Sequence, residues 1–309
     1  MKNILVTGCA GFIGSHLCEY LIKNNYNVIG VDNINSYYDT QRKYNNLKIL
    51  EEYKNFKFYK EDIRDTQIIL NQKPDIVVHL AGMAGVRYSI ENPMEYIDVN
   101  VKGYVNLLEQ AVKVNVKKFL FASSSSVYGE NHTIPFKETD IINKQKSPYA
   151  SSKKFMEELS TLYNKMYNIN IVAFRFFTVY GPRGRPDMAP YKFLSKIKNG
   201  TPIDKYGDGK SMRDYTYIDD IVGGIYGGIV HDITGFEIFN LGNSTPVSLN
   251  NFIEKCEKVC GKKAIINQMG MQQGDVEITF ADISKSKEML GYNPITKLDE
   301  GLTKAYENL

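Results

Sequence analysis

The sequence predicts a doubly wound α/β fold, and three observations carry that prediction. Short apolar runs alternate with helical stretches through the first half, a glycine loop joins the first run to the first helix, and an aspartate closes the second run. The runs Ile4 to Thr7, Val28 to Asp32, Phe56 to Tyr59, Ile76 to Ala81 and Phe119 to Ser123 read as strands. Several are nearly continuous in apolar residues, as parallel strands covered on both faces require. Phe12 to Asn24 and Val99 to Val114 read as helices between them. Polar, tyrosine-rich Asn35 to Lys54 reads as a surface loop plus helix.

Ser147 as N-cap, Pro148 at the first helical position and an apolar stripe of Met156, Leu159, Tyr163 and Met166 define a long helix after residue 147. Strand Ile171 to Phe177 follows, and beyond it the alternation loosens. Gly181 to Pro186 is a loop, and Ile203 to Tyr217 mixes turns with short strands. The glycine-rich helix Asp220 to Ile229 implies close backbone packing.

The chain has 309 residues, 43% apolar and 24% charged, enough for a sizeable core in one large or two moderate domains. A net charge of +3 with interspersed signs gives no reason to expect nucleic acid or an anionic membrane as partner. No apolar run reaches the ~18 residues of a spanning helix. Met1 to Gly8 enters a strand and a glycine loop without an apolar leader, so a cytoplasmic protein is expected. Cys9, Cys18, Cys256 and Cys260 have no histidine companions and no metal-ligand spacing. They read as packing, and no metal site is expected.

Thr7-Gly8-Cys9-Ala10-Gly11-Phe12-Ile13-Gly14 follows a predicted strand and opens a predicted helix. Gly8 permits the tight turn, Gly11 lets the backbone approach a pyrophosphate, and Gly14 lets helix and strand pack closely. The helix N-terminus at Phe12 and Ile13 then faces the phosphates. Asp32, at the end of the next strand and followed by Asn33, is placed to accept hydrogen bonds from an adenosine ribose and to repel a 2′-phosphate. The expected cofactor is therefore NAD. Asp62-Ile63 and Leu80-Ala81-Gly82 end later strands on the same sheet edge, where adenine and ribose contacts would lie, although any parallel strand must end somewhere. The expected organisation is an NAD-binding Rossmann domain over residues 1–174, to which about 214–243 return, and a smaller C-terminal α/β substrate lobe over 175–309.

Tyr149 and Lys153 stand four residues apart just inside the long helix, and so share one face. A free tyrosine titrates near pH ~10, so a phenol basic near neutrality needs roughly 4 kcal/mol of differential stabilisation. A nearby ammonium and the positive end of the helix both act in that direction. Such a phenolate can take a proton from an alcohol while hydride leaves the same carbon. Ser123-Ser124-Ser125-Ser126 lies at the carboxyl end of a predicted parallel strand, where hydroxyls face the ligand crevice. By itself the pair reads first as solvated helix surface, and the serines without Tyr149 as a self-capped loop.

Taken together these motifs resemble the extended short-chain dehydrogenase/reductase superfamily, and within it the NAD-dependent nucleotide-sugar 4-epimerases. The resemblance spans essentially the whole chain. It is strongest to the UDP-glucuronate 4-epimerase branch, on Asp32 to Asp39, Ala84 to Ser89, Arg175 to Pro182 and Arg185 to Met188. It implies that Tyr149 removes the proton of the sugar 4-OH as hydride passes to NAD, that Lys153 holds the nicotinamide ribose, and that Ser124 binds the 4-OH. Asn100 and Phe176 are implied at cofactor-side or structural positions, and Arg87, Ser125 and Ser126 around the sugar. A homodimer through Val99 to Val114 and the helix after Ser147 is implied too.

Two departures from the UDP-galactose 4-epimerase pattern point to the glucuronate branch. Thr178 stands where those enzymes carry asparagine, and Gln272 where many superfamily members carry arginine. In that branch the arginine matching Arg185 resembles a clamp for the sugar carboxylate, a task its planar fork suits, against the plain alternative of a solvated surface charge. Arg213 is implied at the UDP diphosphate, with Asp275 at the ribose or uracil. Oxidation at C4 of a glucuronate makes a β-keto acid, so a decarboxylase is a rival reading. A UDP-glucose or UDP-N-acetylglucosamine 4-epimerase is another, and a non-catalytic dinucleotide-binding regulator a third. The absence of Asp or Glu from the serine tetrad disfavours elimination. Gly82-Met83, where the branch more usually has Ala-Gln, is expected to loosen a loop near the pyrophosphate.

Overall fold

Two units organise the chain in the computed structural model, which describes residues 2–270 and 277–309. The first comprises Met1–Gly129, Ile141–Arg175 and Ile225–Phe239. Its strands are β1 (Asn3–Thr7), β2 (Asn27–Val31), β3 (Phe56–Tyr59), β4 (Ile76–His79), β5 (Lys118–Ser124) and β6 (Ile171–Phe176), with a late strand Phe236–Leu241 added beside β6. The sheet order is late strand-β6-β5-β4-β1-β2-β3. Order reverses between β1 and β4, which is where a doubly wound sheet opens its crevice. Thr7 lies opposite both Val31 and His79, so the glycine loop, Asp32 and Leu80 leave the sheet side by side. The core on one face joins Leu5, Val31, Val77, Phe119 and Phe121 to Leu107, Leu108 and Met156 from the helices.

The helices of this unit are α1 (Phe12–Lys23), α2 (Thr40–Glu51), α3 (Ile68–Gln72), α4 (Val86–Glu91), α5 (Pro93–Tyr96), α6 (Gly103–Lys113) and α7 (Pro148–Tyr167). The helix expected from Val99 is instead a π-helical turn over Ile97–Lys102 that runs into α6. Wide turns of this kind cluster at functional sites, and this one carries Asn100 inward. For α7, the Ser147 hydroxyl accepts from the Ala150 N–H at 3.1 Å and Pro148 occupies the first turn, as the sequence predicts. Its apolar stripe does not run the full length. Met166 is 58% exposed, whereas Ser152, Lys153, Glu157 and Ser160 are buried. The inward face of α7 is therefore polar over its first three turns.

The second unit comprises Glu130–Asp140, Phe176–Gly224 and Asn240–Leu309. In chain order its strands are β7 (Thr178–Tyr180), β8 (Ile203–Tyr206), β9 (Met212–Tyr217), β11 (Pro246–Ser248), β12 (Ile266–Met269) and β13 (Ile278–Thr279), the late strand Phe236–Leu241 of the first sheet being β10. Strand β9 is central, parallel to β7 and β13 and antiparallel to β11. Around it lie α8 (Ala189–Lys198), α9 (Ile218–Val230), α10 (Leu249–Cys260), α11 (Ser284–Leu290) and α12 (Leu298–Glu307). The glycines of α9 do allow close approach: a Cβ on Gly224 would lie 2.7 Å from Leu241, and one on Gly228 2.6 Å from Phe174. Cys256 and Cys260 are buried free thiols, and burial pushes both up in pKa.

Candidate functional site

The glycine loop is tight enough to exclude other residues at two of its three glycines. Gly8 has φ +73°, and a Cβ there would meet Ala81 N at 2.7 Å. A Cβ on Gly14 would lie 2.0 Å from the Gly8 carbonyl oxygen. Gly11 ends the loop at φ −75°, with Phe12 and Ile13 opening α1 behind it. Asp32 is 8% exposed, and its carboxylate accepts from Ala10 N at 3.2 Å and Ile34 N at 2.8 Å. Burial pushes its carboxyl up, opposed by Lys43 and those two N–H donors.

Beside Asp32, Asn33 donates to Asp62 at 2.8 Å. Arg64 engages both oxygens of Asp62 from Nε and Nη2, and holds its carboxyl well below the usual range. The Asp62 carboxylate is therefore largely committed to a structural ion pair. Ile63 is buried behind it. Leu80 N donates to Thr7 O and Ala81 N to Thr7 Oγ1, which fixes the next loop against the first.

The loop around Gly82-Met83 is not loosened. Asn100 Oδ1 accepts from Met83 N at 2.8 Å, and Asn100 Nδ2 donates to Met83 O at 2.9 Å and to Ser152 Oγ at 3.0 Å. The Met83 side chain is buried. A Cβ on Gly82 would meet Asn100 Oδ1 at 2.9 Å and Lys153 Nζ at 3.5 Å, so this loop passes directly over the lysine.

Tyr149 is half-buried and stands edge-on to Tyr96, ring centroids 6.0 Å apart. Tyr96 in turn donates its hydroxyl to Gly85 O at 2.9 Å. Lys153 is 4% exposed, and burial pushes its ammonium down to about 8. Ser124 ends β5, where its hydroxyl accepts from Ser126 N and donates to Ser126 Oγ, both at 3.2 Å. Ser125 and Ser126 open a 3₁₀ turn. Arg87 is exposed on α4.

In the second unit, Phe176 is buried, Thr178 opens β7, and Arg213 lies on β9 opposite Val247 and Thr279. Arg213 Nη1 donates to Met212 O at 2.9 Å. The neighbouring Asp214 is fully buried and accepts from Asn243 N, Ser244 N, Ala281 N and Thr216 Oγ1, which ties three segments around the arginine. Arg185 is no idle surface charge: Nε and Nη2 donate to the two oxygens of Asp187 at 3.0 and 2.5 Å. It also lines a cavity with Tyr180, Gly184, Met188 and Tyr191. Gln272 and Asp275 lie outside the described residues.

The family model described as GDP-mannose 4,6 dehydratase matches residues 5–305. The chain belongs to that family. Within the GDP-mannose 4,6 dehydratase family it is 44% identical to the UDP-glucuronate 4-epimerase of Thermodesulfobacterium geofontis, over 98% of this chain and 94% of the relative. The UDP-glucuronic acid 4-epimerase of Bacillus cereus, solved with UDP-glucuronic acid and NAD, superposes with a TM-score of 0.95 at 38% identity, over 99% of this chain and 98% of that one. The UDP-glucose 4-epimerase of Thermotoga maritima with UDP-glucose gives a TM-score of 0.88 at 33% identity, over 99% and 98%.

The structure of this GDP-mannose 4,6 dehydratase family member also brings in residues that the sequence reading passes over. His79 ends β4 fully buried, with Nδ1 2.8 Å from Thr7 Oγ1, and burial pushes it down to about 3. The neutral imidazole thus holds the hydroxyl that receives Ala81 N. Glu157 and Arg175 form a buried ion pair beneath the serine strand. A signal for Glu157 was present: it lies eight residues after Tyr149, on the same helix face.

Proposed function

We propose that this chain is a cytoplasmic NAD-dependent UDP-sugar 4-epimerase that interconverts UDP-glucuronate and UDP-galacturonate. The observation that carries the reading is the placement of Tyr149 and buried Lys153 on α7, with Ser124 at the end of β5 and no carboxylate in the serine tetrad. NAD fits the first unit because the loop from Gly8 to Gly14 is a cradle that Cβ atoms would fill, with Asp32 at its edge. The chemistry NAD supplies when bound is reversible hydride transfer at C4. Tyr149 takes the proton of the 4-OH and later returns it. Lys153 keeps the phenol acidic, and Ser124 orients the hydroxyl. Arg213 holds the diphosphate, while Arg185 engages the sugar carboxylate, assisted by Thr178.

Exposed Phe155, Leu162 and Met166 line one side of α7, the surface expected to pair with a second copy. Sedimentation of the purified protein as a dimer supports that arrangement, and a monomer at assay concentrations refutes it. For the reaction, purified protein is incubated with UDP-glucuronate and the products are read by NMR and mass. UDP-galacturonate of unchanged mass is the expected result. Loss of carbon dioxide makes the protein a decarboxylase, and inertness toward every UDP-sugar despite bound NAD makes it a regulator.

A further inference from the structure

We propose that Glu157 and Arg175 are positioning residues that set Ser124 relative to Tyr149, an inference that rests on the roles given to those two residues above. Tyr149, Lys153 and Glu157 follow at four-residue intervals along one face of α7. Glu157 is 1% exposed, and Arg175 and Ser123 are 2% exposed each. A carboxylate this deep persists only with donors around it. It has three: Ser123 Oγ donates to Oε1 at 2.7 Å, Arg175 Nε to the same oxygen at 2.9 Å, and Arg175 Nη2 to Oε2 at 2.8 Å.

The three partners sit on different elements. Helix α7 supplies the carboxylate, β5 the serine next to Ser124, and β6 the guanidinium. Arg175 also lies over the ring of Tyr128, 4.8 Å from its centroid, just beyond the serine tetrad. One ion pair therefore contacts side chains on both sides of Ser124, the Ser123 hydroxyl and the Tyr128 ring, and ties them to the helix that carries Tyr149. Apolar residues of similar volume would fill the space at a smaller desolvation cost, but they lack direction. A fork with fixed hydrogen-bond geometry holds strand end and helix in register, and catalysis responds to shifts of about an ångström. The arrangement also brings a carboxylate to the serine strand from behind, already committed to Arg175, so it does not stand beside the sugar as an acid.

The test compares Ser123→Ala, Glu157→Ala and Glu157→Gln with the unaltered protein, measuring kcat, KM, bound NAD and melting temperature. Ser123→Ala and Glu157→Ala are expected to lose about ten- to a hundredfold in kcat. KM for UDP-glucuronate and bound NAD should stay within about twofold. Glu157→Gln, whose amide oxygen still accepts from Ser123, should recover part of the lost kcat. An unimpaired kcat in Ser123→Ala overturns the proposal whatever happens to its melting. So does a parallel loss of kcat, substrate affinity and NAD, which marks a purely structural pair. Should Glu157→Ala not fold, Ser123→Ala carries the test, because it removes only one hydroxyl. Tyr149→Phe is run alongside. Activity in that variant defeats the underlying reading, whereas an inactive Tyr149→Phe beside an unimpaired Ser123→Ala defeats this inference alone.

Discussion

A cradle for a pyrophosphate predicts different failures for Gly11→Ala and Gly14→Ala. A Cβ on Gly14 would lie 2.0 Å from Gly8 O and 2.7 Å from Gly8 C, both backbone atoms that cannot rotate away. Helix α1 and the loop would have to part by more than an ångström. Overpacking of this kind costs about 1–3 kcal/mol, and backbone against backbone belongs at the upper end. For a chain of this size, about 3 kcal/mol lowers the melting temperature by roughly 5 °C. Gly11 differs: its φ of −75° suits any residue, and its Cβ meets only Gly8 O, at 3.2 Å. A few tenths of an ångström relieve that contact, so the folding cost should stay below about 1 kcal/mol. The added methyl instead stands where the backbone is meant to approach the phosphates.

Gly200→Ala is the control, since Gly200 has φ +66° with nothing within 4 Å of its Cβ position. It should show only left-handed strain, about 1–2 kcal/mol, and normal cofactor content. The assay releases NAD from acid-denatured protein, measures affinity by calorimetry, and records melting of each variant. Gly11→Ala should melt nearly normally yet lose NAD affinity by at least about tenfold, a difference of roughly 1.4 kcal/mol. Wild-type NAD content in Gly11→Ala, or a Gly14→Ala that behaves like Gly200→Ala, refutes the reasoning.

Lys153→Met should abolish turnover yet stabilise the NAD-free protein at pH 7. The native lysine titrates near 8 against 10.5 unfolded, so its burial penalty, at most about 3 kcal/mol, is full below pH 8 and fades as pH rises toward 10.5. Melting curves of the two proteins should converge above pH 10, and equal stability at pH 7 contradicts the burial argument. His79 is held neutral down to about pH 3, so the native state gives up about 3 kcal/mol relative to the unfolded state as pH falls from 6.5 to 4. His79→Asn should flatten that part of the stability profile, and an unchanged slope rejects the assignment. Arg185→Ala should raise KM for UDP-glucuronate at least about tenfold while leaving UDP-glucose little affected; equal losses on both sugars dispose of the carboxylate clamp.

How far the sequence was legible depended on what each residue contacts. The strands β1, β2, β4, β5 and β6 could be read because burial on both faces leaves mostly apolar runs, whereas β3 is a half-buried edge strand. Helix α7 announced its start because capping is local, with Ser147 and Pro148 adjacent in sequence. Glycines and Asp32 followed from spacing for the same reason. What escaped was fixed by contacts distant in sequence. The π-helical turn at Ile97–Lys102 carries Asn100, which bonds Met83 17 residues away, and helical periodicity cannot signal it. The restraint on Met83 was missed because glycine and methionine suggest slack when their partner is unseen. Sequence alone leaves Arg185 between a clamp for an external carboxylate and a solvated charge, whereas Asp187, two residues on, already occupies part of its fork. On the proposed role of Arg185, an acidic sugar would have to share or displace that partner.

Tyr149, Lys153 and Glu157 gain meaning when their charges are considered together. If Glu157 were unpaired, its carboxylate would lie one turn from Lys153 and would draw on the positive charge that a phenolate at Tyr149 needs. Arg175 prevents this by engaging both oxygens of Glu157. Among the described residues no carboxylate pairs with Lys153, and desolvation alone accounts for its lowered pKa. A desolvated ammonium without a counterion is costly to the empty protein, and it interacts most strongly with whatever negative charge forms beside it. On the proposed mechanism, the anion that forms there is the tyrosinate one turn earlier. Neutralising Glu157 thus serves two ends at once: it binds the serine strand to α7, and it leaves the cation of Lys153 for Tyr149.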